Sequence, residues 1–174
     1  IVDTIKAMAL NERAGGGSYH KVVTESAGLS FGLLQKDSDD IRDFLVGIVE
    51  NQKLNSSFVR PFAAISLGLL GNENDRDGKV PAALLKVIAG KEKKQDIKPA
   101  ALLALGLMKN DAVVGDLFTM LEEGRVKKGD DELSDNELPW VVQALGRIGR
   151  PGLDKAGEET VVVDAMIKLL DKKK

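Results

Sequence analysis

Apolar positions along this chain recur at the three-and-four spacing of a helix face, and no stretch sustains the alternation of a strand. From Ile1 to about Glu12, Val2, Ile5, Ala9 and Leu10 stand near helical spacing. A second periodic stretch covers about His20 to Gln35. Between Asp39 and Asn51, residues Ile41, Phe44, Leu45, Ile48 and Val49 mark out one amphipathic face. Asp39 and Asp40 stand at its start, where the positive end of a helix dipole favours carboxylates. Further helices are predicted at 57–71, 80–89, 97–109, from Asp111 to about Leu121, at 138–150 and at 159–171. The connections mostly fit short helix–helix loops, with a longer charged one from about Gly124 to Glu137.

Every second helix repeats one box. VRPFAAISLGLLGN spans Val59 to Asn72 and IKPAALLALGLMKN spans Ile97 to Asn110. LPWVVQALGRIGR (Leu138 to Arg150) is a weaker copy, and VVTESAGLSFGLLQK (Val22 to Lys36) precedes them all. Gly32, Gly68, Gly106 and Gly146 follow one another at intervals of 36, 38 and 40 residues. A near-constant period of this length is the signature of a repeat array. Pro61, Pro99 and Pro139 fall in the first turn, where a missing N–H costs little. Ser57, Asp96 and Asn136 just upstream are candidate N-caps. A glycine weakens a helix by about 1 kcal/mol relative to alanine, so its recurrence near each box end predicts another helix backbone crossing close by. The expected organisation is one all-α domain over 1–174, a solenoid of about four and a half antiparallel helix pairs. Their bounds are 1–36, 38–72, 79–110 and 111–150, with a final helix at 159–171.

The stretch from Val59 to Gly71 resembles the second helix of a HEAT repeat, with its Val-Arg pair, Ala-Ala pair and Leu-Gly. Arg60 and Lys98 take the cation position, Ala63-Ala64 and Ala101-Leu102 the small pair, and Leu67-Gly68 and Leu105-Gly106 the Leu-Gly. Leu145-Gly146 matches too, although Leu138 stands at the cation position and Val141-Val142 replace the small pair. The first box has Thr24 for the cation and Phe31-Gly32 at its end. The match is strong over 59–110 and loose elsewhere. What the resemblance implies is a right-handed, armadillo-like α-α superhelix whose second helices line a concave face, usually for protein partners. It implies no reaction, since such arrays serve many functions.

With the inward residues of each box removed, a second set remains at helical spacing: Leu29 and Leu33, then Phe62, Ile65 and Leu69, then Leu103 and Leu107, and lastly Trp140. If the second helices line the concave surface, these eight side chains form a groove that is apolar in its middle. Leaving such residues in water forgoes about 1.5–3 kcal/mol each, and a contiguous apolar patch of this kind marks an interaction site. It suits an amphipathic helix or an apolar peptide. The competing reading is that the same residues pack between neighbouring second helices.

Composition removes several classes of function. The chain has 174 residues, of which 43% are hydrophobic and 30% charged, and its net charge of −2 gives no electrostatic case for nucleic acid. No apolar run approaches the ~20 residues of a membrane-spanning helix, and no signal peptide is visible. The absence of cysteine removes disulfides and thiolate chemistry and leaves the compartment open. Ile1 opens the chain inside a helical stretch, which reads as a fragment of a longer protein. His20 is the only histidine, so two-histidine metal sites are out and a plain structural or solvent-exposed role is expected for it. The Gly15-Gly16-Gly17 run lacks the spacing of a phosphate loop and reads as an inter-helix connection. Glu73, Asp75 and Asp77 alternate before Gly78 like the first half of a calcium loop, but Leu84 stands where the last ligand belongs, so a solvated turn is expected. No cofactor and no metal are expected.

These observations point first to a non-catalytic scaffold that binds a partner peptide or helix on the concave face. The alternative is an accessory domain that positions a ligand for an enzyme or a chromophore-lyase-like system. Such a domain calls for a deep pocket with converging polar groups. Ile1, Val2 and Ile5 at one end and Val161 to Val163 at the other lack the polar outer faces that solenoid ends need. Self-association through those ends is therefore also expected.

Overall fold

The periodic stretches do form helices. The computed structural model describes residues 1–54, 58–71, 75, 77–92, 96–127, 130–149 and 167. Six helices lead the chain: α1 (Val2–Leu10), α2 (Lys21–Leu33), α3 (Asp39–Glu50), α4 (Val59–Leu70), α5 (Lys79–Ala89) and α6 (Ile97–Met108). A 3-10 turn over Asp111–Val113 runs into α7 (Val114–Glu123), and α8 (Leu138–Ile148) follows. No strand occurs among the described residues. The helix expected at 159–171 lies outside them, save for Ile167, which is helical. Among the described residues no helix is long and apolar enough to cross a membrane.

Local chemistry sets the starts of the helices. Ser38 caps α3 by accepting from the Ile41 N–H at 3.3 Å, with Asp39 and Asp40 in the first turn. His20 caps α2, its Nδ1 accepting from the Val22 N–H at 3.4 Å. Gly78 opens α5 at a φ of 62°, and the Asp75 carboxylate accepts from the Val80 N–H at 3.2 Å. The box helices start differently from expectation. Asp96 sits at the N-cap of α6 but its side chain makes no cap bond. Helix α8 begins after Glu137 rather than at Asn136. There Glu137 Oε2 accepts from the backbone N–H and the hydroxyl of Ser134, at 2.7 and 2.9 Å, and this turn delivers the chain into the helix. Ser57 lies outside the described residues.

The helices associate as successive pairs, α1 with α2, α3 with α4, α5 with α6 and α7 with α8. The second members α2, α4, α6 and α8 stack in file through the most extensive contacts in the molecule, and α3 packs on α5 in the other layer. This is the contact pattern of an α-helical repeat. Between the layers lie fully buried Phe31, Leu45, Leu67, Leu84, Ile88, Leu105, Leu117 and Leu145.

Three of the four box glycines lie against another helix backbone as the recurrence predicts, whereas Gly146 has nothing within 4 Å of its would-be Cβ among the described residues. A Cβ on Gly32 would lie 2.7 Å from Ser66 Cα, one on Gly68 2.6 Å from Ala104 Cα, and one on Gly106 2.8 Å from Ala144 Cα. Helices α2, α4 and α6 thus each lay a glycine on a small residue of the next second helix, and any side chain there would force the backbones apart.

Buried charge ties the layers together. Arg60 forms a bidentate pair with Glu92 at 2.6 and 2.9 Å, while its Nε donates to the Val49 carbonyl at 2.7 Å. Arg42 pairs with Asp37 in the same forked way and also donates to the Gly71 carbonyl at 3.0 Å, just past the end of α4. The charged loop before α8 is anchored too. Val126 and Leu133 are buried, and the Asp131 N–H donates to the Ala89 carbonyl of α5 at 3.3 Å.

Candidate functional site

A helix stacked in file has four sides. In α2 one side meets α4, the opposite side is open, a third faces α1, and the fourth faces away from the first-helix layer. Successive residues turn by about 100°. If Ser30 marks the open side, Phe31 and Ala27 turn toward α1, Gly28 and Gly32 toward α4, and Leu29 and Leu33 outward. The same rotation in α4 sends Phe62, Ile65 and Leu69 outward, in α6 Leu103 and Leu107, and in α8 Trp140.

None of these eight side chains is fully buried. Leu29, Phe62, Ile65, Leu69, Leu103, Leu107 and Trp140 are partly buried, and Leu33 is 67% exposed. Ile65 and Trp140 also pack against the core. Because α2, α4, α6 and α8 stand side by side, equivalent positions adjoin. The side chains therefore make a stripe running across four helices.

Two members of the stripe were not among the residues singled out from the sequence. Val22 and Phe58 lie one turn before Ser26 and Phe62 and are both exposed. The Phe58 and Phe62 rings stack with centroids 5.9 Å apart. The i, i+4, i+7, i+11 run of Phe58, Phe62, Ile65 and Leu69 carried the signal. It falls outside the box because Phe58 precedes the first helical residue.

At the far end the stripe changes character. Gln143 and Arg147 of α8 occupy the places of Leu103 and Leu107 and are exposed. Trp140 is thus the last large apolar group before a polar margin. The stripe therefore has an apolar centre and, in α8, a polar edge.

A concavity of about 700 Å³ opens where the α2–α3 and α4–α5 connections meet. It is lined by Asp37, Asp39, Asp43, Asp75, Asp77, Arg42 and Lys79. Its charges already hold the loops together: Arg42 grips Asp37, Lys79 pairs with Asp43, and Asp75 accepts from the start of α5. Lys79 titrates above the ordinary lysine value of 10.5, chiefly because of its hydrogen bond to Asp43. Of the residues of the calcium-like run, Asp75 serves as a helix cap and Glu73 lies outside the described residues.

The chain matches no family model, and neither a curated protein nor a solved structure matches it.

Proposed function

We propose that this chain is a non-catalytic interaction module of the HEAT-like kind, a right-handed superhelix whose second helices line its concave face. Its partner is an amphipathic helix or apolar segment laid across α2, α4, α6 and α8. One observation carries the reading: eight of the outward positions, spread over all four second helices, hold large apolar side chains that the chain's own packing leaves partly or largely uncovered. Covering that residual area supplies binding free energy at roughly 25 cal/mol per Å² before the costs of association. The stripe spans several helices, so the natural occupant is elongated, with apolar residues at i, i+3, i+4 and i+7.

The test is selection of displayed helical peptides on the intact chain, followed by affinity measurement on Phe62→Asp and Leu107→Asp. Both side chains are partly exposed, so the variants retain their helical circular dichroism. Enriched peptides should carry one apolar face and bind each variant at least about tenfold more weakly, as expected for an apolar anchor worth 1.4 kcal/mol or more. Enriched peptides that bind the variants as tightly as the parent chain would overturn the proposal.

A further inference from the structure

The contact that joins one second helix to the next is built from two unlike halves, and among the described residues each half is left open at one end of the file. The glycine half is Gly32, Gly68 or Gly106, and the half that receives it is Ser66, Ala104 or Ala144. In α2 the receiving position falls on Ser30. The residues around it are those that lie hidden in later helices. Val23 is 39% exposed, whereas Val59 and Ile97 at the same place are 1% and 0%. Leu34 is 56% exposed, against 8% for Leu70 and 3% for Met108. Ser66 itself donates to the Leu29 carbonyl at 3.0 Å and accepts from the Gly32 N–H at 2.8 Å across the interface. Ser30, with no second helix before it in the file among the described residues, turns its hydroxyl back onto the Ser26 carbonyl of its own helix at 3.0 Å.

The other end carries the complementary half. Gly146 is exposed, whereas Gly32, Gly68 and Gly106 are all buried. Among the described residues nothing lies within 4 Å of where its Cβ would be. Val142, one turn earlier, is only partly buried, while Ala64 and Leu102 at the same place are fully buried.

We infer that a second copy of this chain docks head to tail, the Gly146 side of its α8 laid on the Ser30 side of α2. The occupant is a copy of this chain because the two open surfaces present the two halves of an interface it already makes three times, a glycine on one side and, as at Ser66, a serine on the other, in the same register. In the joined pair the Gly146 N–H and the Gln143 carbonyl take the places of the Gly32 N–H and the Leu29 carbonyl opposite the Ser30 hydroxyl. An interface between unlike surfaces does not close on itself at two copies, so growth continues with concentration.

Sedimentation of the full chain over a wide concentration range tests this, with Ser30→Arg and Gly146→Arg as the variants. Both positions lie on the surface of formed helices, and Val23→Lys replaces Ser30→Arg should the latter lose its helical signal. The parent chain should gain mass beyond the dimer as concentration rises, and each variant alone should remain monomeric. An equimolar mixture of the two variants should form dimers and stop there, since each contributes one intact end. A monomeric parent chain, a Gly146→Arg chain that assembles like the parent, or a mixture that stays monomeric would each overturn the inference.

Discussion

Two glycines at the same place in the box are asked for different things, and alanine separates them. At Gly68 a methyl group would meet the Ala104 backbone at 2.6 Å. Overpacking of this kind costs about 1–3 kcal/mol, which outweighs the ~1 kcal/mol that alanine adds to a helix. Gly68→Ala should therefore lower the stability measured by urea unfolding, whereas Gly146→Ala, with open space around it among the described residues, should raise it by up to ~1 kcal/mol. The buried Arg60–Glu92 pair gives a larger effect. Its side chains are 3% and 4% exposed, so Glu92→Ala strands a guanidinium away from water and should cost about 3–5 kcal/mol in the same assay. The reverse is expected at Thr24, whose buried hydroxyl has no hydrogen-bond partner among the described residues. Thr24→Val removes that unsatisfied group and should stabilise the chain by about 1 kcal/mol.

At the scale of the helix, the pattern of apolar residues was enough to place each described element within one or two residues of its observed bounds. Burial decides those bounds, and burial is what periodicity records. Gly32, Gly68 and Gly106 were equally legible, since repetition exposed a cost that only a close backbone could offset, whereas Gly146 repeats the residue without the close neighbour among the described residues. The helix starts were less so. Asp96 and Asn136 are residue types that cap helices, yet α6 enters without a side-chain cap bond and α8 enters through the Ser134–Glu137 turn. Capping is a matter of a few tenths of an ångström in a loop, which residue identity alone does not fix. The loop before α8 hid its anchors in the same way, because Val126 and Leu133 stand singly among charges and form no period. The eight residues of the outward stripe were read from the box, whereas Val22, at the first position of its box, and Phe58, one residue before its box, were missed. The first-helix layer is laced by exposed ion pairs, Lys6 with Asp40, Lys79 with Asp43 and Lys86 with Glu50. Exposed pairs add little. The raised pKa of Lys79 means that its contribution is intact at neutral pH and disappears as pH climbs through that folded-state value, above 10.5. Lys79→Met should accordingly leave the melting temperature at pH 7 nearly unchanged.

For the molecule as a whole, the stacking in file turns four separate helix faces into one surface. Trp140 is the only tryptophan in the chain and stands on that surface in α8, two box helices away from Phe62 in α4. Its fluorescence therefore reports on occupancy at one end while a substitution perturbs the other. The decisive measurement is Trp140 emission during titration with an amphipathic helical peptide selected on the parent chain. A saturable blue shift in the parent, abolished over the same peptide range by Phe62→Asp, is the predicted result. A bound peptide that leaves Trp140 emission unchanged, or a shift that Phe62→Asp does not weaken, would contradict a single continuous binding face.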